Sequence, residues 1–574
     1  MPRTLTPAAA TGRRLPNGWD IVALLCVFAA LIAISRAARG TLVPLDALQA
    51  TQITLDPRNL PGYALRTTLR MFAALLASLV FTFAYATLAA KSRRAGLVMV
   101  PVLDILQSVP ILGFLSFTIA FFMGLFPGQV MGLELAAIFA IFTSQAWNMA
   151  FSLYQSLTTI PGDLDEATRG FRLSAWQRFW RLEVPFAMPG LVWNTMLSMS
   201  AGWFFVVASE AITLGDTTWK LPGIGSYVAL ALERQEIGAV FWAIMTMLVV
   251  ILLYDQLLFR PLVAWSAKFR FETTPSAEAE DPWMLALLRR THALRVGGEA
   301  VGRVLRKLGG LRMTFPGLRL PRAPAATQVG DAVFGLAVAT LTGVAAWRIL
   351  AYVSATLRWA DLGQAVALGG ITLLRVVVLL ALASLLWVPV GVWLGLRPAW
   401  ARRVQPVAQF LAAFPANLLF PPFVLLIVRF RLDTDIWLTP LMVLGTQWYI
   451  LFNVIAGASA FPGDLREAAR NLRVGGWLWW RRVMLPGILP YYVTGAITAS
   501  GGSWNAAIVA EVASWGDTRL AAHGLGAYIA RATDAGDFPR IVLGVVVMSL
   551  FVVLFNRAVW RPLSTFASRR TTMG

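Results

Sequence analysis

The sequence has little of what most enzymes use for chemistry. Its 574 residues include one cysteine, two histidines and only 14% charged residues. Cys26 has no second cysteine with which to form an intrachain disulfide, so cysteine usage does not indicate the redox compartment. His292 and His523 stand alone, without the spacing of a metal site. No pairing of a nucleophile with a base is recognisable, so we predict no catalytic residue and no metal site.

A phosphate-binding loop of the form Gly-x-x-x-x-Gly-Lys-Ser/Thr is also missing. We therefore expect this chain to bind no cofactor and no ATP. The charged fraction is far below the roughly 25% of soluble domains, and 58% of the residues are hydrophobic. Apolar runs of about 17–25 residues, long enough to cross a bilayer, recur along the chain. About twelve such runs, in two sets of six, predict an all-α membrane protein embedded in a lipid bilayer.

A formal charge of +20 would suggest a nucleic-acid partner in a soluble protein. Here the basic residues lie in the short segments between apolar runs, as the positive-inside rule predicts for cytoplasmic loops. We therefore expect no nucleic acid, and we place both termini in the cytoplasm of a bacterial cell, with the chain in the inner membrane. Arg13 and Arg14 precede a short apolar run as in a signal peptide, but the many later spans favour an uncleaved first helix.

The chain divides into a first half (1–265), a basic linker (266–329) and a second half (330–574). The linker loses the apolar pattern and is rich in arginine and proline. We expect it to be cytoplasmic, partly amphipathic and lying on anionic lipid. A regulatory role or a contact with an ATPase is the alternative.

The second half repeats the first. Glu166 and Glu467 are 301 positions apart, as are Pro185 and Pro486, and the offset elsewhere drifts only between 305 and 301. Since each half has an even number of predicted spans, both halves have the same orientation in the membrane. They are then related by an axis along the membrane normal. We therefore expect a transport pathway between the halves.

The most informative repeated stretch is a short charged segment between two spans. Pro-Gly-Asp ends one span, so Asp163 and Asp464 are predicted to be helix N-caps, with Glu166 and Glu467 at the capping-box position. The segments share one set of candidate residues: Asp163, Glu166, Ala167, Arg172 and Pro185 in the first half, and Asp464, Glu467, Ala468, Ala469, Arg473 and Pro486 in the second.

Glu467-Ala468-Ala469, followed nineteen positions after the glutamate by Pro486, resembles the signature of permease subunits of type I binding-protein-dependent ABC importers. Glu166-Ala167-Thr168 is a weaker copy. The family's glycine six positions after the glutamate is replaced by Arg172 and Arg473. The resemblance covers both halves and is greatest to the nitrate, sulfonate and taurine group.

This resemblance implies a duplicated, fused permease that imports a small anion. It also implies two ATPase subunits, which would bind ATP and Mg²⁺, and an extracytoplasmic substrate-binding protein. The two repeated segments would be the coupling helices that receive the ATPase motion.

For the substrate pathway we select polar and aromatic residues inside predicted spans. Charges there are costly and usually face the bundle interior. Glu210 and Glu511 are expected to gate the pathway or to pair with Arg70 and Arg375, and pairing is favoured over substrate contact. The candidates are Arg70, Gln145, Trp203, Glu210, Arg375, Gln447, Ser503, Trp504, Asn505 and Glu511, with Asn148 as a weaker one.

Two other functions remain open from the residues alone. A secondary transporter driven by an ion gradient would explain the two six-span halves but not the paired charged segments. A membrane enzyme or lipid exporter is disfavoured, because no catalytic pair is found.

Overall fold

We describe the fold from a computed structural model. The structure describes residues 53–214, 217–269, 291–312, 324–515 and 518–571, together with Leu25, Phe28, Ile32, Ser35, Pro44, Leu45, Trp283 and Met284. The predicted first span, about residues 19–35, lies almost wholly outside the described residues, as do Cys26 and the basic N-terminal residues that were used to orient the chain.

The described part of the first half is almost entirely helical. Its helices are α1 (Leu60–Lys91), α2 (Arg93–Ser108), α3 (Leu115–Leu125), α4 (Val130–Thr158), α5 (Gly162–Gly170), α6 (Ala175–Arg178), α7 (Val184–Glu210), α8 (Ile224–Glu233), α9 (Ile237–Tyr254) and α10 (Arg260–Ser266). A short antiparallel hairpin, β1 (Ala211–Leu214) and β2 (Thr217–Lys220), separates α7 from α8.

The linker contributes α11 (His292–Gly310), and the second half repeats the order of the first. Its helices are α12 (Pro324–Ser354), α13 (Trp359–Gly395), α14 (Pro398–Ala413), α15 (Phe420–Phe430), α16 (Thr434–Trp437), α17 (Leu441–Leu444), α18 (Gln447–Ser459), α19 (Gly463–Asn471), α20 (Gly476–Trp479), α21 (Leu485–Ala510), α22 (Leu525–Asp534), α23 (Phe538–Phe555) and α24 (Arg561–Thr571). The hairpin also recurs, as β3 (Val512–Trp515) and β4 (Thr518–Ala521).

Four single π-helical turns adjoin prolines in the long helices. They are Phe179–Glu183, Asp255–Phe259, Trp480–Met484 and Asn556–Trp560, and each ends two residues before a proline. A proline has no N–H, and its ring clashes with the carbonyl four residues earlier. That carbonyl lies inside the π turn in each case, so the wider turn lets the helix continue past Pro185 and Pro486.

Within the described residues, eight helices are long and apolar enough to cross a membrane, or ten if each of two bent pairs is one span. One bent pair is Ala399–Ala413 with Ala416–Phe430, which meet at 82°. Pro101 and Pro110 in the third predicted span, repeated as Pro406 and Pro415, predict a kinked helix there. The structure has a break instead, because Pro110 and Pro415 each precede a 3₁₀ turn. The helical membrane fold predicted from the sequence is confirmed.

The chain forms two compact units. The smaller unit comprises Met1–Gly40, Thr159–Val192 and Tyr254–Leu318, and the larger unit comprises Thr41–Thr158, Trp193–Leu253 and Arg319–Gly574. The smaller unit contains α5 and α11, and the larger unit contains most of the spans of both repeats. Division of the chain into two halves and a linker stays a prediction from the repeat.

Inside the larger unit the two repeats pack against each other at their broken spans. The backbone N–H of Ile111 donates to Asn505 Oδ1 at 2.7 Å. Reciprocally, Asn417 Nδ2 donates to the carbonyl of Phe204 at 3.2 Å. A Cβ on Gly113 would lie 2.8 Å from Val545, so the break of the first repeat closely approaches the second. The breaks thus supply backbone groups and close contacts at the interface between repeats.

Candidate functional site: coupling helices, ion clusters and a central cavity

The two predicted coupling helices are α5 and α19, and both begin two residues earlier than the sequence suggested. The N-cap residues are Pro161 and Pro462, and neither helix has a side-chain cap. The predicted capping box is therefore wrong: Asp163 and Asp464 lie inside the first turn, because each proline, in extended backbone, already starts the turn. A carboxylate there still interacts favourably with the helix dipole.

Each coupling helix has one buried and one exposed side. Thr168 and Ala469 are buried, whereas Glu166 and Glu467 are exposed. Ala167 and Ala468 are exposed next to the glutamates. A small residue beside an exposed carboxylate leaves room for a partner to approach closely, so this side suits a docking contact.

The turn that ends each coupling helix is made by an arginine in left-handed conformation. Arg172 and Arg473 have φ of 50° and 54°. The next amide closes the turn onto the helix, with Val474 N donating to the Ala469 carbonyl at 2.9 Å in the second copy. Left-handed backbone costs a residue with a Cβ about 1–2 kcal/mol, and glycine has no such cost. The chain therefore forms this left-handed turn with an arginine where the family signature has a glycine.

Replacing Arg473 with glycine should relieve this strain. The gain is partly offset because glycine is more flexible in the unfolded chain, which leaves a net stabilisation of about 0.5 kcal/mol. Thermal unfolding in detergent would measure it. Gln235→Gly is a matched control, since Gln235 ends α8 with φ of 57°. If R473G lowers transport while Q235G does not, the Arg473 side chain itself takes part in coupling; a loss of stability in both would contradict the strain argument.

The two coupling segments differ in how they are braced. Arg178 binds Asp165 and Glu183, at 2.8 Å each, which links the first coupling helix to the π turn before α7. At the equivalent positions the second copy has Arg466, Trp479 and Met484. The first segment is thus held by ion pairs that its repeat lacks.

A buried ion cluster joins α1, α4 and α7 in the first repeat. Arg70 donates to both oxygens of Glu134, at 2.5 and 2.7 Å, and to Glu210 Oε1 at 2.7 Å. Glu210 also accepts from Thr67 Oγ1 and from the backbone N–H of Gly225, both at 2.7 Å. Arg70 is only 4% exposed and Glu210 is 0% exposed, so this cluster fixes the end of α7 against α8 and is not placed to meet a solute.

The second repeat has the same cluster in a more open form. Arg375 donates to Glu511 Oε1 at 3.3 Å and to Asp435 Oδ1 at 2.7 Å. Thr372 Oγ1 donates to Glu511 at 2.9 Å. His523 Nδ1 lies 2.8 Å from the other Asp435 oxygen, and its side chain is 77% exposed. The arginine–glutamate pairing that the sequence offered as one alternative is thus formed in both repeats.

Glu134 and Asp435 complete these clusters but were missed by sequence reasoning. They are 301 positions apart, the same offset as the coupling glutamates. A systematic search for acidic residues at that offset would have found them.

A central cavity of about 280 Å³ lies in the larger unit, lined by both repeats. Among the described residues that line it there is no Asp, Glu, Lys, Arg or His. Its polar groups are hydroxyls and side-chain amides: Gln107, Thr143, Ser144, Asn148, Asn194, Ser198, Ser200, Thr446, Tyr449, Asn453, Thr494, Thr498 and Asn505. The cavity therefore offers many neutral hydrogen-bond donors and no fixed charge.

Of the predicted pathway residues, Asn505 and the weaker candidate Asn148 line this cavity. Arg70, Glu210, Arg375 and Glu511 lie in the ion clusters instead. The remaining candidates are packed elsewhere: Gln145 contacts the sulfurs of Met71 and Met199, Gln447 accepts from Trp387, Ser503 bonds Thr446, and Trp203 and Trp504 are buried in the core.

The signal that marks the cavity is helical spacing. Thr494, Thr498, Gly501 and Asn505 follow one another at i, i+4, i+7 and i+11 along α21, and all line the cavity. Asn194, Ser198 and Ala201 do the same along α7. A stripe of polar and small residues on one side of an apolar helix indicates a polar interior surface, which single charged residues did not reveal.

Comparison with known proteins identifies the fold on which these features lie. The model of the family described as binding-protein-dependent transport system inner membrane component matches twice, at residues 80–259 and 387–559. Each match covers one of the repeats found in the sequence.

Similar individual proteins match only part of the chain. A nitrate import permease protein of Leptolyngbya laminosa is 27% identical over 188 residues, which is 33% of this chain and 64% of that protein. A bicarbonate transport system permease protein of Synechococcus elongatus is 29% identical over 188 residues, which is again 33% of this chain and 64% of that protein. A glycine betaine/carnitine transport permease protein of Listeria monocytogenes is 29% identical over 173 residues, 29% of this chain and 54% of that protein.

The matched regions thus span less than two thirds of each of these relatives. The family model, in contrast, matches more than half of the chain, once in each repeat. The chain therefore belongs to the family of binding-protein-dependent transport system inner membrane components, as a multi-pass ABC permease in which two family domains are fused in one polypeptide.

Proposed function

We propose that this chain forms the complete translocation pathway of an ATP-driven importer for a small, anionic solute. The observation that carries the proposal is the uncharged cavity lined by both repeats. Its volume of about 280 Å³ is slightly below the roughly 300–1,000 Å³ of pockets for drug-sized ligands, so it suits a solute of few atoms.

The chemistry of the lining favours weak, transient binding. Asn148 and Asn453 each donate one amide N–H within the protein, and the second N–H of each can donate to the oxygens of an oxyanion. Without a lysine or arginine in the cavity, the anion is not held tightly and can leave. Nitrate and bicarbonate are the solutes named for two of the relatives, and we propose an oxyanion of this size for this chain.

Energy would come from two separate ATPase subunits that bind ATP and Mg²⁺. The exposed glutamate side of α5 and α19 would dock on them, one coupling helix on each subunit. A soluble binding protein would deliver the solute at the opposite side, and both termini of the chain would face the cytoplasm. Closure of the ATPase pair would then shift the cavity between inward and outward access.

The double variant Glu166→Ala, Glu467→Ala tests the coupling role. Both glutamates are exposed, so folding should be unaffected, whereas ATPase association or solute-stimulated ATP hydrolysis should fall about tenfold or more. Co-purification of the ATPase and uptake of labelled nitrate or bicarbonate into proteoliposomes would measure this.

A matched control is Glu233→Ala with Asp534→Ala, because these acids share the 301-residue offset but lie on α8 and α22. Unchanged uptake in the coupling double variant would overturn the proposed docking. Uptake driven by an ion gradient without any ATPase would instead support the secondary transporter. Uptake of glycine betaine but of neither anion would overturn the proposed solute class.

A further inference from the structure

Helix α11 of the linker is attached to the segment that follows the first coupling helix. Trp176 Nε1 donates to the Leu308 carbonyl at 2.7 Å, and Gln177 Nε2 donates to the Gly310 carbonyl at 2.8 Å. The last four carbonyls of a helix lack donors within the helix, so these two bonds cap α11. A Cβ on Gly309 would lie 3.2 Å from Trp180, which shows how closely the two segments approach.

The second coupling segment is not built for such an attachment. Trp477 occupies the position equivalent to Trp176, but its side chain is 73% exposed. Leu478 stands in place of Gln177, so the amide donor is missing, and its side chain is 52% exposed. The contact with α11 therefore acts on the first coupling segment alone.

The side of α11 away from this contact is apolar and basic. Val304, Leu308 and Leu311 are 56%, 49% and 42% exposed and form a stripe at helical spacing. At 100° per residue, Val304 lies about 140° around the helix from the packed Gly309. The cations Arg303, Arg306, Lys307 and Arg312 are exposed on and just after the same part of α11: Lys307 lies beside the stripe, whereas Arg306 lies only about 60° from Gly309.

The attachment also places the end of α11 near one end of a membrane span. Trp176 belongs to Ala175–Glu210, a continuous 36-residue span candidate. At about 1.5 Å per residue it is longer than the roughly 30 Å hydrocarbon layer, so its first turn lies outside that layer, at or beyond the interface. Trp176 and Trp180 fit that position, because tryptophan is enriched at membrane–water interfaces.

We propose that the exposed face of α11 binds anionic phospholipid headgroups and thereby tethers the first coupling segment to the bilayer. A basic amphipathic helix at an interface inserts its apolar stripe among the headgroups, while its lysine and arginine side chains reach the phosphates. The occupant is an anionic lipid surface, since four exposed cations lie on or just after the helix that carries the stripe, and the proposal is independent of which solute the protein carries.

The single cysteine allows a direct test. In the variant C26S with Val304→Cys, a bimane label on the new cysteine reports contact with brominated acyl chains. In the full chain in proteoliposomes, quenching should be several-fold greater with phosphatidylglycerol present than in phosphatidylcholine alone, and it should decline as salt screens the charges. Adding Arg303→Gln, Arg306→Gln and Lys307→Gln should return quenching to the phosphatidylcholine level.

Control substitutions at Lys91, Arg93 and Arg94, each to glutamine, remove the same charge elsewhere and should leave the quenching unchanged. Equal quenching in both lipids, or none in either, would overturn the proposal. So would shielding of the label by added ATPase but not by lipid. If the Val304 variant does not fold, Leu311→Cys provides the same readout. The quenching does not require transport, so its failure is separate from failure of the proposed importer.

Discussion

Replacing Gly501 with leucine is expected to reduce solute uptake more than tenfold while leaving the protein folded. Gly501 lines the central cavity, and a Cβ at this position would meet no atom within 4 Å. A leucine side chain would therefore extend into the cavity from a Cβ that has room. Leucine also favours a helix by about 1 kcal/mol over glycine, so α21 should not be weakened. Uptake into proteoliposomes and thermal unfolding in detergent measure the two effects.

Gly370 provides the matched control. It lies within α13, and a Cβ there also meets nothing within 4 Å, but it does not line the cavity. Gly370→Leu should therefore preserve both uptake and stability. Normal uptake by G501L would show that solute does not pass through this cavity, whereas equal loss in both variants would point to a general effect of leucine in the spans.

The fold was largely predictable because a bilayer imposes strong rules on sequence. Apolar runs, basic loops and a constant 301-residue offset were enough to predict a duplicated helical permease, and two family matches confirm it. Breaks at Pro110 and Pro415 were predicted only as kinks. Whether proline bends or ends a helix depends on neighbouring groups that bond to the freed backbone. The Asn505 side chain, which accepts from the backbone N–H of Ile111, is such a group, and it comes from the other repeat.

The site was less predictable, since a charged residue inside a span can serve either structure or transport. Arg70 and Glu210 were selected for their charge, but the structure pairs them with each other and with Glu134. Cavity residues such as Ser198 and Thr498 carry no charge and gave a weaker signal. Their shared surface is formed by helices from both repeats, so only the spacing along each helix was visible in the sequence.

The local turns of the coupling helices depend on backbone geometry that composition does not show. Asp163 looked like an N-cap, yet Pro161 already occupies that position. Arg172 looked like a departure from the family, yet it adopts the left-handed conformation usually left to glycine. The helix begins at a proline without a side-chain cap and ends at an arginine with positive φ. A motif comparison cannot resolve either conformation.

The two ion clusters predict unequal effects for equivalent arginines. Arg70→Met leaves Glu134 and Glu210 buried without their counter-charge, and breaking a buried pair in this way costs about 3–5 kcal/mol. Since whole domains are stable by only about 5–15 kcal/mol, this variant should lose a large share of its stability and unfold at a clearly lower temperature. Fluorescence-detected size-exclusion chromatography after heating would show this as an absent or strongly lowered monodisperse peak.

Arg375→Met should be tolerated better. Asp435 is 39% exposed in its side chain and can be solvated by water, and Glu511 keeps its bonds from Thr372 and the backbone N–H of Ala527. We expect a cost of about 1–3 kcal/mol, the range for leaving a buried polar group without one partner. Equal losses in the two variants would show that burial does not decide the effect. Partial rescue of R70M by Glu134→Gln would show that the lost stability comes from the uncompensated carboxylates rather than from packing.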